Sequence, residues 1–557
     1  MPTGTKSATL LQRPIFHILI LVAVGFLCYS NTFHVPFLFD DDTSIVENPA
    51  VHGLQNFLSG GYAAVPNRVV GYLSLALNYE IGGTNVFGYH LLNIAIHVVN
   101  ALLVYALLRL TFRTPLFRRG CDDTEAGPSA NYLPFLVALL FVAHPAQTQA
   151  VTYIVQRLTS LATLFFLLSM YLHVRWRLAE LSGRGFLSVG VLGTFLLSLV
   201  SAALAMKTKE IAFTLPFAVV LYELAFFGVP KRAVIPKLIP MILTAAIIPA
   251  TMLNLTKPAA QILSDVHSAT AVQTTLSRWD YLCTEFSVIV TYLRLLLLPV
   301  NQNLDYDYPV SHTLFELRTL LSAAILVALV ALGCWLWRKG SKPAARDLLA
   351  PAYARLTAFG IFWFFLAISV ESSLIPIVDV IFEHRMYLPS FGFFVAVVAL
   401  VMMWVERKKD AAPAAAKGAA VAIGAVALLF SGATLARNMI WQNPVTLWQD
   451  VERKSPGKAR PHVNLGTYYG EMERVEDSLR EFEIAAKLDP VDPHALSNLV
   501  LLYVVTGRTS DASDACTKLH QVDPMMKGDL KLYQILKMPG NGDPSLQAVQ
   551  GVCSAFR

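Results

Sequence analysis

Asp40, Asp41 and Asp42 stand together in the string FLFDDDTSIVENP, a few residues beyond the first long apolar segment of the 557-residue chain. Carboxylates crowded near a low-dielectric surface raise one another's pKa, which suits either a general base or cation binding. Asp40 and Asp41 are therefore candidate catalytic residues, and the candidate holders of any divalent cation. The plain alternative is an acidic, solvated loop. A second cluster, Glu383, His384 and Arg385, lies in VIFEHRMYLPS, where Arg385 is the lone basic residue of its loop. Such an arginine can grip a phosphate as a bidentate fork or anchor to a lipid headgroup.

Lys207, Lys209 and Glu210 form a third cluster in a tight turn between two apolar segments, with a surface Lys-Glu pair as its ordinary explanation. Arg157 beside Gln156, His144 beside Pro145, and Arg68 occupy other inter-segment loops. Asp305 and Asp307 alternate with Tyr306 and Tyr308 in NLDYDYP. Alternating aromatic and acidic side chains can stack on and hydrogen-bond a sugar, although an aromatic belt at a membrane interface explains the tyrosines equally well. His90 and His97 read as structural residues. The six cysteines show no CxxC or metal-ligand spacing, so they offer no zinc or redox motif. Cys516 and Cys553 can pair if their domain faces an oxidising compartment.

These residues are held by elements that belong in a bilayer. The chain is 55% hydrophobic and only 15% charged, outside the range of ordinary soluble proteins. Eleven apolar segments are long enough to span, near residues 15–30, 90–108, 132–147, 158–174, 186–206, 211–228, 237–254, 313–336, 353–370, 388–405 and 418–436. The first lacks a small-x-small cleavage site and reads as an uncleaved transmembrane helix. With the N-terminus inside, the short inner segments hold twenty Lys and Arg and the opposite loops eight, a strong positive-inside asymmetry. It holds only if residues 281–299 do not fully cross. Arg278 just before that stretch, and Glu285 and Arg294 within it, suit an interfacial or re-entrant helix. The net charge of +6 is accounted for by these orienting clusters, which excludes a nucleic-acid partner.

Beyond the last segment, Pro456, Pro490 and Pro524 recur every 34 residues, echoed by Leu465 and Leu499 and by Tyr469 and Tyr503. That period denotes tetratricopeptide repeats, here at about 459–492 and 493–526, with capping helices to 557 and a turn around Gly540 and Gly542. The expected fold is all-α: a polytopic membrane domain over 1–436 and an extracytoplasmic tetratricopeptide domain over 437–557.

The strings NRVVGYLSLALNYEIGGTNVFGYHLLN, AHPAQTQAVTYIVQR, MKTKEIAFTLP, LPVNQNLDYDYP, EHRMYLPS and ARNMIWQNPVTLWQDVERKSPGKARPHVNLG, in this order, resemble bacterial relatives of the transmembrane and tetratricopeptide repeat-containing O-mannosyltransferases. The resemblance covers nearly the whole chain. It implies a GT-C-like membrane fold, a polyprenyl-phosphate sugar donor and an inverting transfer to a protein Ser/Thr or glycan hydroxyl. It also implies an acidic pair in the first outer loop, which Asp40 and Asp41 match; Asp42 is an extra acid. Arg68-Val69 stands where the family has Arg-Pro. Arg385, His384, Glu383, Arg157, Lys209, Glu210, Asp305 and Asp307 are then candidates for holding the donor phosphate and sugar. The expected setting is a bacterial inner membrane, with lipid around the helices and the repeat domain outside, where it would guide the acceptor. The competing readings are a non-catalytic scaffold for envelope, pilus or secretion assembly, and a transporter. Transporters place ionisable groups near the bilayer midplane, whereas here they gather in one set of loops.

Overall fold

A computed structural model describes residues 13–118, 128–228, 231–252, 276–341, 350–373, 375–408, 411–523 and 544–553. Cys121, Pro524, Gly540 and Gly542 lie outside the described residues, which contain helices and no strand. Eight helices are long and apolar enough to cross a membrane, and a ninth candidate is the pair Tyr132–Ala143 and Pro145–Val151, bent by 55°. Two shorter apolar helices, Pro14–Cys28 and Ile235–Thr251, coincide with the remaining segments expected from the sequence.

The chain divides into two compact units, residues 1–302 with 309–439, and residues 303–308 with 440–557. In the first unit the principal helices are α1 (Pro14–Cys28), α2 (Val69–Gly82), α3 (Val86–Thr111), α4 (Pro128–Ala143), α5 (Arg157–Leu181), α6 (Val189–Met206) and α7 (Leu215–Tyr222). They are followed by α8 (Lys231–Leu243), α9 (Arg278–Leu297), α10 (Leu317–Lys339), α11 (Ala350–Ile368), α12 (Tyr387–Glu406) and α13 (Ala412–Trp441).

Two features fix where the loops meet. Helix α4 stops at His144-Pro145 because proline cannot continue the hydrogen-bond ladder. The His144 Nδ1 accepts from the Ala146 amide (3.1 Å), so Nε2 carries the proton and donates to the Leu296 carbonyl (3.1 Å), tying the end of α9 to this break. Secondly, α11 and α12 cross backbone to backbone: a Cβ on Gly360 would lie 2.5 Å from the Gly392 carbonyl oxygen, and one on Gly392 2.6 Å from that of Gly360. Small residues at such a crossing let membrane helices approach closely. This contact seats the turn that begins α12.

Helix α9 is tied at several points to loops of the first unit. Its early residue Tyr281 donates to the Glu371 carbonyl (2.8 Å), Tyr292 accepts from the Phe382 amide (3.1 Å), and Leu296 meets His144. Glu371 and Phe382 belong to the loop after α11, and His144 to the break after α4, so both ends of α9 touch loops at one end of the bundle. Helix α10 starts at that same end, because Gly340 at its finish packs against Pro351 and Arg355 at the start of α11.

In the second unit, α14 (Pro444–Lys454) precedes two helical hairpins, α15 (Ala459–Glu471) with α16 (Val475–Leu488), and α17 (Pro493–Val505) with α18 (Thr509–Val522). Every boundary of the second hairpin lies 34 residues beyond that of the first, the tetratricopeptide period. Contacts repeat likewise: Arg474 and Arg508 lie 4.4 Å above the rings of Tyr469 and Tyr503, and pair with Asp477 and Asp511. Helix α19 (Pro544–Val552) packs on the second hairpin, where a Cys516–Cys553 disulfide joins it to α18.

Candidate functional site

A cavity of about 980 Å³ opens at one end of the first unit. Its walls come from the loop after α1 (Asp40, Thr43, Ser44, Arg68), the start of α5, the turn after α6 (Lys209, Glu210), residues Ile248 and Pro249, and the loop after α11 (Glu371, Asp379, Phe382, His384, Arg385). The contributing loops follow the first, third, fifth and ninth apolar segments, and Ile248 and Pro249 lie near the end of the seventh. Alternate crossing puts all of them on one face, whichever side of a membrane that is. The volume lies in the range of small-molecule sites.

The loop after α1 is held by Asp41. It is 1% exposed; Oδ1 accepts from the Val155 amide (2.7 Å) and Oδ2 from the Leu38 amide (3.1 Å). Burial raises its pKa well above the usual carboxylate range, against the opposing pull of these two amides. Asp41 is absent from the cavity wall, and Asp40, one position earlier, lines it. The Asp40 amide donates to the Tyr153 hydroxyl (2.9 Å). Phe39 takes the left-handed conformation (φ 56°), a costly state for a bulky residue. That kink sends neighbouring aspartates to different environments.

The three cations of the wall are Arg68, Lys209 and Arg385. Arg68 forks onto Glu210 (Nε–Oε1 3.1 Å, Nη2–Oε2 3.1 Å). Burial opposes the Arg68 cation, yet Glu210 outweighs it and holds the pKa above its ordinary value. Lys209 is 7% exposed and bonds Glu371 Oε1 (3.0 Å) and Thr159 Oγ1 (2.8 Å). Burial lowers its pKa, with Glu371 acting in opposition. Arg385, 3% exposed, donates to the carbonyls of Val380 (2.9 Å) and Asp379 (2.7 Å), which closes its own loop around the guanidinium. The His384 amide donates to the Gln149 side-chain oxygen (2.9 Å), and its ring stacks on Phe382. Its Nδ1 makes no hydrogen bond among the described residues. Ile211, Phe213, Ile375, Ile377 and Val378 supply an apolar flank.

The structure separates the remaining candidates. Arg157 is fully buried away from the cavity; it donates to Asn93 Oδ1 (2.5 Å) and to the carbonyls of Ser74 (3.1 Å) and Tyr89 (3.0 Å), binding α2, α3 and α5 together. Glu383 is 1% exposed and accepts from Gln302 (2.7 Å). Asp305 and Asp307 fall in the second unit. There Asp305 pairs with Lys458 and Arg460, and the Asp307 amide donates to Ser455 (2.9 Å). His90 and His97 are buried with hydrogen-bond partners, as expected of structural residues. Sequence reasoning missed Glu371 and Asp379. The one signal for them is position, since both lie in the loop that ends in Arg385. Glu285 on α9 is 1% exposed, and burial pushes its pKa up to about 7 against the pull of Arg385.

These features define the class: a multi-pass α-helical membrane protein with a charged cavity at one face and a 34-residue helical repeat. Over most of its length the chain is homologous to protein O-mannosyl-transferases. It is 26% identical over 495 residues to protein O-mannosyl-transferase F38B6.6 of Caenorhabditis elegans, covering 86% of this chain and 64% of that one. It is 25% identical over 534 residues to human protein O-mannosyl-transferase TMTC1, covering 86% and 56%, and 25% identical over 534 residues to mouse TMTC3, covering 88% and 53%. The chain spans roughly half to two thirds of the length of these curated relatives. No protein-family model and no solved structure matches it.

Proposed function

We propose that the protein is a GT-C-type membrane glycosyltransferase that moves a sugar from a polyprenyl-phosphate donor to a hydroxyl, on a protein Ser/Thr or a glycan, at the extracytoplasmic face. The observation that carries this reading is one cavity that joins Asp40 to Arg68, Lys209 and Arg385 beside an apolar flank. The relatives, named as protein O-mannosyl-transferases, favour a hexose such as mannose and a protein acceptor.

In this reading the prenyl chain lies along Phe213, Ile375 and Val378, which are 37%, 50% and 53% exposed, and the phosphate meets Arg385 and Lys209. Asp40 takes the proton from the acceptor hydroxyl as its oxygen bonds to the anomeric carbon. The bond from that carbon to the phosphate oxygen breaks, and the electron pair leaves with the polyprenyl phosphate into the field of the cations. Attack opposite the leaving group inverts the anomeric centre. Asp41 holds Asp40 in place. Glu210 and Glu371 keep Arg68 and Lys209 oriented before the donor arrives, and His384 is placed to donate to or accept from the sugar.

The test uses full-length protein in detergent or vesicles, a labelled polyprenyl-phosphate mannose and an acceptor peptide. Saturable donor binding and labelled peptide are expected. If the donor fails to bind, the reading is wrong and the scaffold alternative takes its place.

A further inference from the structure

The first hairpin of the repeat and the helix before it hold three polar side chains that the architecture does not require. Glu452 on α14, His462 on α15 and Glu481 on α16 converge so that one donor atom of each lies within 4.8 Å of the others. His462 and Glu481 are 5% and 6% exposed, and His462 Nδ1 lies 2.8 Å from Glu481 Oε2. One repeat further on, the corresponding positions carry Ala486, Leu496 and Ala515, all packed in an apolar core. The same hairpin thus closes well with aliphatic side chains there, and packing gives no reason for a histidine between two glutamates. The group also carries surplus negative charge. Arg480 approaches Glu481 at 3.5 Å, while the Glu452 carboxylate makes no hydrogen bond or ion pair among the described residues.

We propose that Glu452, His462 and Glu481 form a site for a divalent transition metal, Zn²⁺ by the chemistry of its donors. One imidazole and two carboxylates match the N/O ligands of zinc, with the fourth tetrahedral position left to water. Calcium and magnesium prefer all-oxygen shells. Zinc–ligand bonds of about 2.0–2.2 Å bring donors closer than 4.8 Å. Glu452, half-buried near the end of a short helix, is the member free to move inward. The metal would clamp α14 to the first hairpin and fix the start of the solenoid. The site is independent of the glycosyltransferase reading.

The experiment takes full-length protein in detergent, strips it with chelator, and measures Zn²⁺ binding by equilibrium dialysis with elemental analysis, alongside thermal melting. Wild type should retain one equivalent that a thousandfold excess of Mg²⁺ or Ca²⁺ does not displace, and should melt higher with it. Glu452→Gln leaves the His462–Glu481 pair intact and should weaken binding about 10- to 100-fold, in line with the loss of a ligand or its supporting partner. The double variant His462→Leu, Glu481→Ala carries the second repeat's own residues. It should stay folded and lose the equivalent. Absence of tight Zn²⁺ in wild type, or wild-type affinity in Glu452→Gln, overturns the site and leaves His462–Glu481 as a buried hydrogen bond alone.

Discussion

Asp40→Asn and Asp41→Asn should fail in different ways, and the contrast tests the division of labour in the first loop. Both Asp41 oxygens accept backbone N–H groups, at 2.7 Å from Val155 and 3.1 Å from Leu38, with the residue 1% exposed. Asparagine keeps one acceptor and turns an NH₂ group toward the other amide. One buried N–H then lacks a partner, at a cost of about 1–3 kcal/mol. The loop should loosen, the melting temperature should fall, and donor binding and transfer should fall together. Asp40 faces the cavity, and asparagine keeps its size and most of its hydrogen-bonding capacity while removing its basicity, so Asp40→Asn should melt close to wild type, within about 1 kcal/mol. It should still bind donor yet lose about 10²- to 10⁴-fold in transfer, the contribution of a positioned general base. Three measurements suffice: melting, donor affinity and single-turnover transfer of labelled sugar. Near-normal transfer by Asp40→Asn removes it as the base. Selective loss of transfer in Asp41→Asn, with unchanged melting, would assign the proton to Asp41.

Arg385→Lys should lower donor affinity by about 10-fold or more although charge is conserved, because a point charge cannot both close the Asp379–Val380 carbonyls and fork a phosphate; unchanged affinity in Arg385→Ala would take this residue out of the site. Gly392→Ala places a methyl 2.6 Å from the Gly360 carbonyl oxygen and should destabilise by about 1–3 kcal/mol as the helices separate, read as a lower melting temperature with reduced donor binding. A reporter active only in the cytoplasm, fused after Arg557, should stay silent. Cys516–Cys553 should resist alkylation until reduced, with reduction costing about 2–5 kcal/mol in the repeat domain; a bright reporter or freely alkylated cysteines in cells would reverse the proposed orientation.

Much of this was legible because it follows from local chemistry. A bilayer demands runs of about 20 apolar residues, so the segments show in composition alone, and the structure has an apolar helix at each of them. Pro145 marks the break in the third segment for an equally local reason. The repeat was legible because a hairpin that buries its face on the next copy must reuse residue types at a fixed spacing. Glu285 and Arg294 within 281–299, with Arg278 just before it, likewise set this helix apart from the apolar segments.

The sequence could not separate residues of like type in like positions, since their difference lies in partners contributed by distant segments. Arg157 and Arg385 each sit in a loop between apolar segments, yet Asn93, Ser74 and Tyr89 enclose the first while the second stays on the cavity wall. Asp305 and Asp307 look alike in sequence, yet in the fold Asp305 pairs with Lys458 and the Asp307 amide donates to Ser455, both within the repeat unit. Asp40 and Asp41 are one bond apart in sequence, and only the positive φ at Phe39 and the amides of Leu38 and Val155 turn one toward the cavity and the other into the core. Composition and period determine what a segment must be, because solvent and repeat packing act on every residue in turn. Which charge faces the cavity was decided by the tertiary structure, because a buried ion must find its counter-charge or carbonyl wherever the folded chain presents one.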